Sequence, residues 1–181
     1  MDNLICKAIS ELLIDRKDLL RIPLRQKAKF EGWLKFELAH RLIQIGMESV
    51  EVETKACYNR NATDITFFHK EIFYSIELKT SNTNWKNEGV RNCKKPITKN
   101  IQSIINDAIK LNSDQGFVAF ILFPIPLHNK SWELYIDRIV EKTNLPICKD
   151  KNCKLIEISI DETNVCNLLV CVFKSRKFSI W

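Results

Sequence analysis

Residues 117–123 read FVAFILF, seven consecutive apolar side chains with no charge, glycine or proline among them. A strand with one wet face alternates polar and apolar residues. An unbroken apolar run of strand length therefore belongs in the middle of a sheet covered on both faces. Such a strand needs cover on both faces, which flanking helices can supply.

The flanking sequence supplies those helices. Residues 97–111 place Ile97, Ile101, Ile104, Ile105 and Ala108 on one helical face, and Gly116 lies beyond its end. Residues 27–45 carry the stripe Phe30, Leu34, Leu38, Leu42 and Ile45, with Gly46 as a stop. Residues 2–20 predict an N-terminal helix capped by Asp2, with Ile5, Ala8, Ile9, Leu12 and Leu13 inward and Pro23 closing it. Arg21, Arg25, Lys27 and Lys29 make the segment before the second helix basic, which reads as a solvated linker.

Strands fill the interval 49–80. Residues 49–58 alternate Val50, Val52 and Ala56 with Glu51, Glu53 and Lys55, a half-buried strand. Asn59, Arg60 and Asn61 form a turn, residues 64–68 a second strand, and residues 72–80 (IFYSIELKT) a third. In the third, Ile72, Tyr74, Ile76 and Leu78 share one face, while Phe73, Ser75, Glu77 and Lys79 share the other. If Lys70 and Glu71 are a two-residue hairpin loop, His69 pairs with Ile72, and counting back sets Asp64 opposite Glu77. Directly opposed side chains have Cβ atoms about 4.5–5.5 Å apart. Two carboxylates that close repel unless a cation sits between them, so removing either would relieve the fold.

Glu31 lies 3, 7 and 11 residues before Leu34, Leu38 and Leu42, so it falls on the apolar face of its helix. It is either a first-turn acid favoured by the helix dipole or a carboxylate aimed at a metal or a basic residue on the sheet. Glu37, at the edge of the stripe, is the other helical carboxylate in the interval. Residues 81–95 form a polar, basic loop with Trp85 in it, and such a long loop is a candidate binding surface. Further on, residues 132–141 predict a short helix, and residues 155–160 and 168–173 two more strands.

Several chemistries lack support. No G-x-x-x-x-G-K-[ST] loop or G-x-S-x-G elbow is present. His40, His69 and His128 are scattered without ligand spacing, and Cys166 and Cys171 would point to opposite faces of one strand, against a zinc site. The first residues lack a charged n-region with a clean apolar run, and no stretch approaches 18 apolar residues, so a cytoplasmic chain with reduced thiols is expected. A net charge of +6 over 181 residues suits a polyanionic partner.

Helix, three strands, helix, strand, with Glu31 on the first helix, Asp64 on the second strand and Glu77-Leu78-Lys79 on the third, resembles the PD-(D/E)XK nucleases. Thr63 stands where that family's name has proline. The resemblance covers about half the chain. It implies a restriction-endonuclease-like α/β core, a mixed sheet flanked by helices, at about 27–124. An N-terminal helix (1–22) and a C-terminal extension with strands (125–181) would complete a single domain. It further implies a Mg²⁺-dependent endonuclease of restriction, defence or repair type that hydrolyses DNA, with Mn²⁺ able to substitute. Asp64, Glu77 and the Leu78 carbonyl would hold the metal, Lys79 would steady the reacting phosphate, and Glu31 would support the site. Asn82, Asn84, Arg91, Lys94 and Lys95 would contact the nucleic acid, and a homodimer is compatible with the fold. The alternatives are an RNA-cleaving version and a nucleic-acid-binding or assembly protein of the same fold without turnover.

Overall fold

The computed structural model describes residues 1–55, 62–92, 97–111, 113 and 115–176. Six strands, β1 (Glu48–Lys55), β2 (Ala62–His69), β3 (Ile72–Asn82), β4 (Gly116–Phe123), β5 (Cys153–Ser159) and β6 (Val165–Lys174), form one mixed sheet in the order β1-β2-β3-β4-β6-β5. All eight residues of β4 are buried, as the apolar run requires. Phe117, Ala119, Ile121 and Phe123 point into one core, and Val118, Phe120 and Leu122 into the other. The first core is closed by α1 (Asp2–Asp15), α2 (Lys17–Gln26) and α3 (Glu31–Gln44). The second is closed by α4 (Ile97–Leu111) and α5 (Glu133–Thr143). The chain is thus α/β, a six-stranded mixed sheet flanked by helices. Only β3 and β4 run parallel, and α4 is the crossover that a parallel pair needs.

The β2–β3 hairpin turns on Lys70 and Glu71, with His69 opposite Ile72 as counted from sequence. Both loop residues have positive φ, 49° and 63°. Two-residue hairpin loops favour this geometry because it matches strand twist, though Asn-Gly adopts it more easily than Lys-Glu.

Two expectations need correction. The N-terminal segment is two helices rather than one, broken at Arg16, and Pro23 lies inside α2 instead of ending it. The end of α2 is a Schellman turn, with Lys27 left-handed (φ 51°), Lys27 N–H on Leu24 O and Ala28 N–H on Pro23 O. Pro23 serves that turn through its carbonyl, which proline keeps.

The basic segment is no solvated linker. Lys27 is buried, with Nζ donating to Thr83 O and Trp85 O, and α3 starts four residues after it, at Glu31.

The expected C-terminal strands join the main sheet. β6 pairs directly with β4, and α1 packs on β5 and β6. Cys166 and Cys171 do point into opposite cores, as the strand period dictates. No helix among the described residues is long and apolar enough to cross a membrane.

Candidate active site

The β2–β3 ladder runs from His69 opposite Ile72 to Ile65 opposite Ile76, and Asp64 and Glu77 are next in that count. Here side chains replace the ladder. Asp64 Oδ2 accepts the Leu78 backbone N–H at 2.8 Å, and Glu31 Oε2 accepts the Thr80 N–H at 3.1 Å. Alternate N–H groups of a strand point to the same side. Two successive β2-facing donors of β3 are therefore held by carboxylates, one from the neighbouring strand and one from the first residue of α3. The Leu78 carbonyl faces the same side as its N–H, toward Asp64.

Three lysines close on these acids. Lys35, on α3 and 8% exposed, lies 2.8 Å from Asp64 Oδ1 and 3.1 Å from Glu53 Oε1. Lys110, on α4, donates to Glu77 Oε1 at 2.8 Å and to Ala62 O. Lys79 sits between Glu31 Oε1 at 3.4 Å and Asp107 Oδ2 at 3.5 Å. Asp107 Oδ2 is buried with no well-formed hydrogen bond among the described residues, and the Lys79 ammonium, with Lys110 further off, compensates its charge.

Burial raises two of these acids. It pushes the Glu77 carboxyl up to about 7 against the opposing hydrogen bond from Lys110, and the charge of Asp64 adds to the rise. Burial also raises Asp107 despite the nearby Lys79 and Lys110. Burial opposes the charge on Lys79, but Asp107 and Glu31 outweigh it and hold the ammonium above its usual range. Lys35 rises in the same way through Asp64 and Glu53.

These shifts give a pH prediction. Between about 4.5 and about 7 the folded chain holds a Glu77 proton that the unfolded chain has released. Stability from this group is complete below that window and is lost as pH rises through it. Urea unfolding should show the difference between parent and Glu77→Gln changing by up to about 3 kcal/mol between pH 4.5 and 8, with the parent losing ground. A difference independent of pH would show that Glu77 titrates as a free carboxyl.

The donor chemistry fits a hard divalent cation. Five carboxylates (Glu31, Glu53, Asp64, Glu77, Asp107) meet three ammoniums (Lys35, Lys79, Lys110), a formal excess of two negative charges. Mg²⁺ keeps several waters and needs only one or two protein carboxylates. Among the described residues no group of three or more His, Cys, Asp or Glu is disposed to hold an ion. Asp64 and Glu77 instead each grip a lysine, and a cation between them would have to displace Lys35 and Lys110.

Of the two helical carboxylates, Glu31 reaches the site, whereas Glu37 pairs with Arg16 at 3.3 Å. Both readings of Glu31 meet here, since it is a first-turn residue and also contacts a basic residue on the sheet. The loop residues divide. Asn82 is not on a surface: it is buried, and its Nδ2 donates to Lys27 O. Trp85 packs on Tyr135 at 5.5 Å between ring centroids. Asn84 and Arg91 are exposed, and Lys94 and Lys95 lie outside the described residues.

Sequence reasoning missed Lys35, Lys110, Glu53 and Asp107. Lys35 was accessible to the argument that singled out Glu31, because it lies 3 and 7 residues before Leu38 and Leu42. Asp107 and Lys110, three apart at the margin of the α4 stripe, carry only the signal of an ordinary surface pair.

Set against protein-family models, curated proteins and solved structures, the chain matches none. A functional reading therefore stands on the site's own geometry and chemistry.

Proposed function

We propose that this chain is a divalent-metal-dependent nuclease with a restriction-endonuclease-like core of the PD-(D/E)XK kind, hydrolysing phosphodiester bonds of DNA. The observation that carries the reading is the open edge of β3, where Asp64 and Glu31 replace a strand beside Glu77 and Lys79. The order α3, β1–β3, α4, β4, with β3 and β4 parallel, supports it.

Asp64, Glu77 and the Leu78 carbonyl would hold Mg²⁺, or Mn²⁺ in its place. The bound ion would polarise the phosphate and lower the pKa of the attacking water. Lys79, kept charged and fixed by Glu31 and Asp107, would meet the negative charge that grows on the phosphate oxygens. Lys35 and Lys110 would hold the two ligands apart until the cation displaces them.

One observation favours a second reading. Asp64 and Glu77 are each already neutralised by a lysine at 2.8 Å, as in a nucleic-acid-binding or assembly protein that keeps the fold without turnover. Incubation of supercoiled plasmid, single-stranded DNA and RNA with Mg²⁺ or Mn²⁺ separates the readings. The nuclease reading expects nicking or linearisation by the parent and none by Glu77→Gln. Binding with no product in either metal would favour the second reading, and cleavage of RNA alone would change the substrate. In either case, neutralising Arg91, Lys94 and Lys95 should reduce the salt slope of DNA binding by up to about three contacts' worth. An unchanged slope would exclude the loop as the binding surface.

A further inference from the structure

Two free thiols meet across the β5–β6 ladder, apart from the carboxylate site. Cys153 opens β5, Cys171 lies directly opposite it in β6, and their Sγ atoms are 3.4 Å apart. At the turn between these strands, Ile160 N–H bonds to Asn164 O. Antiparallel pairs alternate between hydrogen-bonded and non-hydrogen-bonded. Counting from that turn places Cys153 and Cys171 at a non-hydrogen-bonded pair, where Cα atoms stand about 4.5 Å apart. That spacing lies within the roughly 4.4–6.8 Å over which a disulfide closes.

The two thiols differ in access. Cys171 is fully buried in the second core, and burial raises its thiol well above the usual range. Cys153 is half-buried and lines an open cavity of about 540 Å³ whose charges balance, Lys130 and Lys149 against Glu133 and Asp150, so a small thiol reagent can reach it.

We propose that Cys153 and Cys171 are a redox-responsive pair that closes to a cross-strand disulfide by exchange with a small disulfide of the glutathione disulfide class. The Cys153 thiolate attacks one sulfur of the reagent, breaks its S–S bond and releases one glutathione thiolate. The Cys171 sulfur then attacks Cys153 Sγ, giving up its proton to solvent, and expels the second glutathione thiolate, which takes up a proton. Two protein thiols are oxidised and one small disulfide is reduced to two thiols. Because Cys171 is buried, the second exchange is the slower one.

The test is intact-mass measurement and peptide mapping of the folded chain after incubation with glutathione disulfide. The expected product is lighter than the reduced chain by two hydrogens and yields a Cys153–Cys171 cross-linked peptide. Cys153→Ser should lose this product entirely. Cys171→Ala should stop at a glutathione adduct on Cys153, and Cys148→Ser should leave the product unchanged. The parent's own peptide map decides the matter even if a variant fails to fold. A parent that retains the adduct on Cys153 with Cys171 free to alkylate, that links either residue to one of the other five cysteines, or that does not react would overturn the proposal.

Discussion

Replacing Asp64 by alanine should abolish metal-dependent cleavage and also weaken the fold. The carboxylate is one of the two proposed metal ligands, so activity should fall by at least about a thousandfold, as when a positioned catalytic group is lost. Two facing carboxylates suggest that removing one would relieve repulsion, but the structure reverses that expectation for Asp64. Its Oδ2 is the acceptor for the Leu78 N–H, and its Oδ1 is the nearer of two partners for the buried Lys35. Alanine leaves a backbone donor and an ammonium short of acceptors, a cost of about 1–3 kcal/mol. Asp64→Asn keeps an oxygen for the Leu78 N–H while discarding the charge. It should recover much of the stability and none of the cleavage. Urea unfolding without metal, alongside a nicking assay with Mg²⁺, measures both. An alanine variant that cleaves at the parent's rate would remove Asp64 from the site.

Lys79→Ala carries the second large effect and separates a hydrolytic site from a mere cation site. A structural cation would be repelled by an ammonium two residues from its ligand, so removing Lys79 should leave Mn²⁺ affinity unchanged or tighter by calorimetry. Turnover should fall by about two to four orders of magnitude, because the charge proposed to face the reacting phosphate is gone. The structure adds a constraint, since Lys79 also compensates Glu31 and the buried Asp107 Oδ2. The variant should therefore lose some stability in the absence of metal. Lys79→Arg restores that compensation but not the full rate, because a guanidinium is larger and its donors are fixed in a planar fork. If Lys79→Ala cleaves normally, Lys79 serves only to neutralise its two acids.

Local periodicity made the centre of this fold legible. The buried β4 and the two-residue turn at Lys70–Glu71 follow from counting along strands, and Asp64 and Glu77 stand one step past the last ladder pair in that count. What counting cannot show is which donor a carboxylate finds. Asp64 and Glu31 act on backbone N–H groups of β3, a consequence of where the ladder ends rather than of residue type. The break at Arg16 and the left-handed Lys27 were hidden for another reason. Neither carries the glycine that usually marks a helix end, and tertiary bonds from Lys27 to Thr83 and Trp85 hold that end in place. Lys110 reads as a solvent-facing helix charge until α4 is laid on β3. β6 joins β4 through a pairing that no local signal announces.

The proposed function requires Asp64 and Glu77 to share a divalent cation where Lys35 and Lys110 now contact them. A crystal of the protein soaked in Mn²⁺ and measured at the manganese absorption edge tests it directly. The claim predicts an anomalous peak between the Asp64 and Glu77 carboxylates, near the Leu78 carbonyl, with Lys35 and Lys110 withdrawn from their present contacts. Both ammoniums still in place at fully soaked Mn²⁺, with no peak between the carboxylates, would contradict it.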